Sequence, residues 1–168
     1  MESGNIDAVL DRVVERLAEP GYKVMYSDEV EFEVDVWPRL LALARHLGFD
    51  CLTSHTVHSD RSGENWEKFC EEPIGPDVRA LGANNRLDIV VRNRDVGSIG
   101  IEVKCLGENG HAGKLTQGIG QAVLGLANRD RTVLLIHCGT VGETDRAELR
   151  DVGRRICNNS RVRLVVVP

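Results

Sequence analysis

Two nearly uninterrupted apolar runs, Thr132–Cys138 (TVLLIHC) and Val162–Val167 (VRLVVV), stand either side of a stretch with helical periodicity, Glu143–Cys157. A strand that is apolar on both faces must be covered on both faces, and strands joined through a helix run parallel. This strand–helix–strand unit commits the second half of the chain to a parallel sheet with helices packed on it. A helix expected from about Lys114 to Asn128 extends the alternation towards the N-terminus.

The first half carries different patterns. Ile6, Val9, Leu10, Val13, Val14 and Leu17 form one helical stripe, which Pro20-Gly21 ends. Tyr22–Ser27 reads equally as a short strand or a connector. Residues 29–36 (EVEFEVDV) alternate like a strand, whereas Val36, Leu40, Leu43 and Leu47 repeat like a helix. The reading favoured is one helix beginning near Asp28, capped by Ser27 and kinked at Pro38. Phe49–Val57 reads as a strand. A long polar connection, roughly Ser59 to Asn85, follows, with a short helix expected at Glu64–Glu71. Arg86–Arg92 (RLDIVVR) and Ser98–Leu106 (SIGIEVKCL) are then two strands joined by a polar turn at Gly97, the best hairpin signal in the chain.

The order is helix, helix, three strands, helix, strand, helix, strand: one α/β domain over residues 1–168 with a mixed sheet. With 168 residues, 42% of them hydrophobic, the chain can build one proper core and is short for two. The net charge of −5 argues against a surface-wide polyanion site, so any nucleic-acid surface must be a local patch or borrow charge from a metal. The five cysteines contain no CxxC pair, which leaves neither a zinc ribbon nor a thioredoxin-type site. With no signal-peptide pattern and no membrane-length apolar run, a soluble, reduced, cytoplasmic protein is expected.

Chemistry concentrates on the hairpin. Alternation sends Leu87, Ile89 and Val91 one way and Asp88 the other, while Glu102 and Lys104 share a face of the next strand. Closing the hairpin with Asp88 opposite Glu102 gathers two carboxylates and an ammonium. A one-residue slip would separate them. Two carboxylates on rigid strands suit a hard divalent cation with open positions, and a lysine beside them can orient water or stabilise developing charge.

The segments LDIVVRNRDVGSIGIEVKCLG and KLTQGIGQAVLGL, taken with this placement, resemble the PD-(D/E)XK nuclease superfamily over about residues 28–138. The resemblance implies a restriction-endonuclease-like αβββαβ core, here with an extra N-terminal helix and a C-terminal helix and strand. It implies Mg2+ or Mn2+ held by Asp88, Glu102 and the backbone carbonyl of Val103, with Lys104 catalytic. A supporting glutamine would come from the following helix, Gln121 or alternatively Gln117. A glutamate would come from the first core helix, Glu33 before Glu29 or Glu31. Cleavage of DNA to 5′-phosphate products, with a homodimer or partner protein for two-strand cuts, is likewise implied. Leu87 stands where the name-giving proline would be, a position that varies in the superfamily.

Each signal has a plainer reading. An Asp followed later by ExK arises often by chance, and context alone raises it here. Gln121 reads as readily as a solvated helix residue, and Glu33 as part of an exposed acidic edge. Arg146, Arg150 and Arg154 form the only basic stripe, a nucleic-acid candidate together with His111, but a solvated face paired with Asp145, Glu148 and Asp151 explains the arginines better. The competing functional expectation is a nucleic-acid-binding or regulatory module that keeps this fold without cutting.

Overall fold

The computed structural model describes residues 5–53, 87–106, 111–157 and 161–168, with backbone alone at 78–80, 83–85 and 111. Helix α1 (Ile6–Ala18) starts at Asn5, whose side chain accepts from the Asp7 N–H, and buries Val9, Leu10, Val13 and Leu17. The connector after it contains no strand. Helix α2 (Glu29–Leu47) then runs through Pro38, which forfeits only the bond its missing N–H would make one turn back. Its cap is Asp28 rather than Ser27: the Asp28 carboxylate accepts from the Glu31 N–H at 2.8 Å. Ser27 instead donates its N–H and hydroxyl to the Glu31 carboxylate, at 2.7 and 2.8 Å. This is a capping box shifted by one residue, because a carboxylate competes better for helix N–H groups than a hydroxyl does. Gly48 closes the helix at φ 75°, donating to the Ala44 and Arg45 carbonyls.

The remaining elements are β1 (Asp50–Thr53), β2 (Val78–Ala80), β3 (Ala83–Asn85), β4 (Ile89–Asn93), β5 (Gly97–Cys105), α3 (His111–Gly125), β6 (Arg131–His137), α4 (Glu143–Cys157) and β7 (Val162–Val167). The main sheet has the order β1-β4-β5-β6-β7. β1, β4 and β5 pair antiparallel, and β5, β6 and β7 pair parallel, as the apolar runs required. The small antiparallel β2–β3 pair lies in the connection read from sequence as polar loop. The short helix expected at Glu64–Glu71 falls outside the described residues. The result is a single α/β domain with a five-stranded mixed sheet and, among the described residues, four helices.

Two cores lie on the two faces of the sheet. Helices α1 and α2 pack on Ile89, Val91, Ile99, Ile101, Val103, Val133 and Leu135. Helices α3 and α4 cover Leu134, Ile136 and Cys138 on the opposite face. None of the described helices is long and apolar enough to cross a membrane.

The β4–β5 register pairs Ile89 with Ile101 and Asn93 with Gly97, the latter at φ 129° in the turn. One expectation fails at its N-terminal end. Strand β4 begins at Ile89, and Asp88 sits in a bend. Leu87 therefore leaves the row of Ile89 and Val91 and packs on the other face, against Gly100 and against Gly125 of α3. Two glycines leave a hole on that face, and the leucine fills it.

Candidate active site

Strand β5 sets the centre of the site. Its odd positions, Ile99, Ile101, Val103 and Cys105, enter the core under α1 and α2, so Glu102 and Lys104 must face α3. Both are buried, at 1% and 5% exposure, and Lys104 Nζ donates to Glu102 Oε1 at 2.7 Å. Gly118 of α3 makes room for the lysine stem: a Cβ there would lie 3.1 Å from Lys104 Cγ. Burial first and the Asp88 carboxylate second push Glu102 up to about 8, against the pull of Lys104. Burial draws the Lys104 ammonium down, but Glu102, Glu29 and Asp88 outweigh it and hold the group above its ordinary value.

Asp88 arrives where the register carries it. Continuing the Ile89–Ile101 pairing by one step sets it opposite Glu102. Because the chain bends there, the Val103 N–H, which points towards β4, loses its ladder partner and donates to Asp88 Oδ2 at 2.8 Å. A strand residue's N–H and C=O leave on the same side, so the Val103 carbonyl also points towards the β4 side.

Helix α2 overhangs this end of the sheet, and the Cys105 thiol reaches the Asp28 carbonyl at 3.7 Å. Glu33 is fully buried and accepts from Thr53 Oγ1, and Thr53 pairs with Ile89, the neighbour of Asp88. Glu29, one turn earlier on the same stripe, places Oε2 3.3 Å from Lys104 Nζ and Oε1 3.7 Å from Lys114 Nζ. Lys114, in the first turn of α3, also donates to the Cys105 carbonyl at 2.7 Å. Glu31 is spent elsewhere, on Ser27 and on Lys23. From sequence Glu29 stood only as an alternative to Glu33, and Lys114 and Thr53 were not singled out. The four-residue spacing of Glu29 and Glu33 was the available signal for the first; nothing local marked the other two.

Gln121 is half-buried, one turn beyond Gly118, and its Oε1 is enclosed with no hydrogen-bond donor; Gln117 is exposed. The His111 side chain lies outside the described residues. The arginine stripe divides. Arg146 is tied to the Val141 and Gly139 carbonyls at 2.8 and 2.6 Å, so it braces the loop before α4. Arg150 pairs with Glu143 at 2.7 Å, and Arg154 with Asp151 at 3.5 Å. These two line an open groove of about 730 Å³ above Leu164 and Val166.

Among the described residues, no three His, Cys, Asp or Glu side chains form a ready-made metal cage. The donor set present nevertheless fits a hard cation that keeps several waters: two carboxylates across adjacent strands and a backbone carbonyl between them. Glu102 Oε2 is buried with no hydrogen-bond donor, a costly state that a cation would relieve. Comparison with protein-family models, with curated proteins and with solved structures gave no match in any of the three.

Proposed function

We propose that this protein is a Mg2+- or Mn2+-dependent nuclease of the PD-(D/E)XK kind, hydrolysing phosphodiester bonds of DNA. The observation that carries the reading is Asp88 facing Glu102-Val103-Lys104 across adjacent strands, with one buried Glu102 oxygen lacking a donor. The element order supports it as well. Helix α2, strands β1, β4 and β5, helix α3 and strand β6 follow the αβββαβ sequence that the resemblance implies.

Asp88, Glu102 and the Val103 carbonyl would hold the cation. When bound, it supplies charge neutralisation at the phosphate and lowers the pKa of an attacking water. Lys104, released from Glu102 Oε1, is placed to orient that water or to stabilise charge developing on phosphate oxygens. Gln121 brings an unused acceptor to the same face of the sheet, suited to a water or to the Lys104 ammonium. Glu33, fixed by Thr53, supports the shell from the α2 side. Cutting both strands in one encounter needs two such sites, hence a homodimer or a partner protein. The described cysteines 51, 105, 138 and 157 are free thiols, in keeping with a reducing, cytoplasmic setting.

The test is cleavage of labelled single- and double-stranded DNA with Mg2+, Mn2+ or EDTA, beside Asp88→Ala and Lys104→Ala and with Mn2+ binding measured separately. Metal-dependent cutting lost in both variants is expected. Metal binding without turnover on any substrate would favour the non-cutting module instead. An Asp88→Ala protein that loses stability but no metal affinity would sink both readings.

A further inference from the structure

We infer that Glu29 is an internal stand-in for a substrate phosphate, and that Lys104 and Lys114 form the anion seat it occupies until a phosphodiester displaces it. The inference rests on the phosphodiesterase reading for its class of ligand, but its binding step needs no turnover.

Two lysines from different elements, Lys104 on β5 and Lys114 on α3, converge on one carboxylate, each on a different oxygen. A phosphate presents oxygens in the same way, spread over a single centre. The Lys104 side chain is 6% exposed, whereas Glu29 and Lys114 are 35% and 40% exposed, so the clasp leads from the buried pair out to solvent. Lys104 already has a counter-charge in Glu102 at 2.7 Å. Glu29 is thus a second carboxylate on one ammonium, more negative charge than that ammonium needs.

Charge counting gives the order of events. With Glu102 ionised, as a bound cation requires, Asp88, Glu102 and Glu29 against Lys104 and Lys114 leave the protein groups one charge negative; with Glu102 protonated they are neutral, and neither state is a good host for an anion. A bound divalent cation turns the total positive, and departure of Glu29 makes the seat more positive still. Glu29 is free to leave: it is the first residue of α2, where its carboxylate keeps a favourable place beside the helix N-terminus. Lys114 stays in position without it, because the Cys105 carbonyl holds its ammonium. Both Glu29 oxygens face ammonium groups, which argues against Glu29 as a metal ligand.

The experiment measures binding of a short fluorescein-labelled DNA duplex by anisotropy in Ca2+ and in EDTA, with Mn2+ affinity by electron paramagnetic resonance. The proteins are wild type, Glu29→Gln, Lys114→Ala, the double variant, and Glu15→Gln as an exposed charge control on α1. Removing the competing carboxylate should tighten duplex binding in Ca2+ by about five- to tenfold, the scale of one or two partly exposed ion pairs. Glu15→Gln should change it by less than about twofold. Lys114→Ala should weaken binding and abolish the gain from Glu29→Gln. Unchanged or weaker duplex affinity in Glu29→Gln, reduced Mn2+ affinity there, or no duplex binding by any variant overturns the inference. If Glu29→Gln tightens binding but no protein cuts, the seat stands and hydrolysis falls. If wild type cuts and Glu29→Gln binds no tighter, the seat alone falls.

Discussion

Gly100→Ala should destabilise the protein through Leu87 alone. A Cβ at position 100 would lie 2.1 Å from Leu87 Cδ1 and 3.2 Å from Arg129 Cγ. The arginine stem can yield by a few tenths of an ångström, but the leucine methyl must retreat by about 1.5 Å to reach ordinary carbon contact. On the other side the same methyl already lies against the bare backbone of Gly125, where an added Cβ would stand 2.6 Å from it, so little room is left for retreat. Overpacking of this kind costs about 1–3 kcal/mol, offset by about 0.5–1 kcal/mol from replacing a strand glycine. A net loss of about 1–2 kcal/mol lowers the melting temperature by about 2–8 °C for a domain of this size.

Urea unfolding of a double-mutant cycle tests the mechanism. Leu87→Ala alone should cost about 2–4 kcal/mol, since Leu87 is 6% exposed and leaves a cavity. In that background the alanine at 100 meets only the Arg129 stem at 3.2 Å, which can yield, so it should become neutral or stabilising, a coupling of about 2 kcal/mol. Additive effects, or a neutral Gly100→Ala with Leu87 intact, would refute the claim that this leucine fills the gap between two glycines. Because Leu87 precedes Asp88, the cycle also tests the bend that presents the carboxylate.

Stability should fall on mild acidification through His137. The imidazole is 2% exposed, donates Nε2–H to the Lys23 carbonyl at 2.9 Å and packs on Tyr26 and Phe32. Burial, joined by the Arg146 charge, holds its pKa below the ordinary value. Above about pH 6.5 the ring is neutral in both states and adds no pH dependence. As pH drops through that value the unfolded chain takes up a proton that the folded one refuses, so stability declines by at most about 1.4 kcal/mol per pH unit. His137→Phe should flatten this limb relative to wild type; parallel pH profiles would count against the assignment. At the start of α2, Asp28→Ala should cost about 1 kcal/mol in chemical denaturation and Ser27→Ala distinctly less. The reverse ranking would return the cap to Ser27.

What the sequence determined by itself is what periodicity encodes. Apolar runs at 132–138 and 162–167 must be covered on both faces, which forced a parallel half-sheet, and alternation through 98–106 placed Glu102 and Lys104 together. The register that brings Asp88 opposite Glu102 was legible because a one-residue slip would put Asp88 on the apolar face that Ile99, Ile101 and Val103 share. Tertiary structure decided what depends on empty space and on the tips of long side chains. The flip of Leu87 follows from a hole between Gly100 and Gly125, residues on different elements. The choice of Asp28 over Ser27 was a competition between neighbouring oxygens for the same N–H groups. Lys104 and Glu29 meet across 75 residues of chain, so the four-residue spacing that sets Glu29 on the Glu33 stripe could not show which ammonium it reaches. Arg146 left its stripe because loop carbonyls lay within reach. Backbone periodicity fixes which face a residue takes; the destination of a flexible charged tip is set by whichever opposite charge or unsatisfied carbonyl the fold brings near.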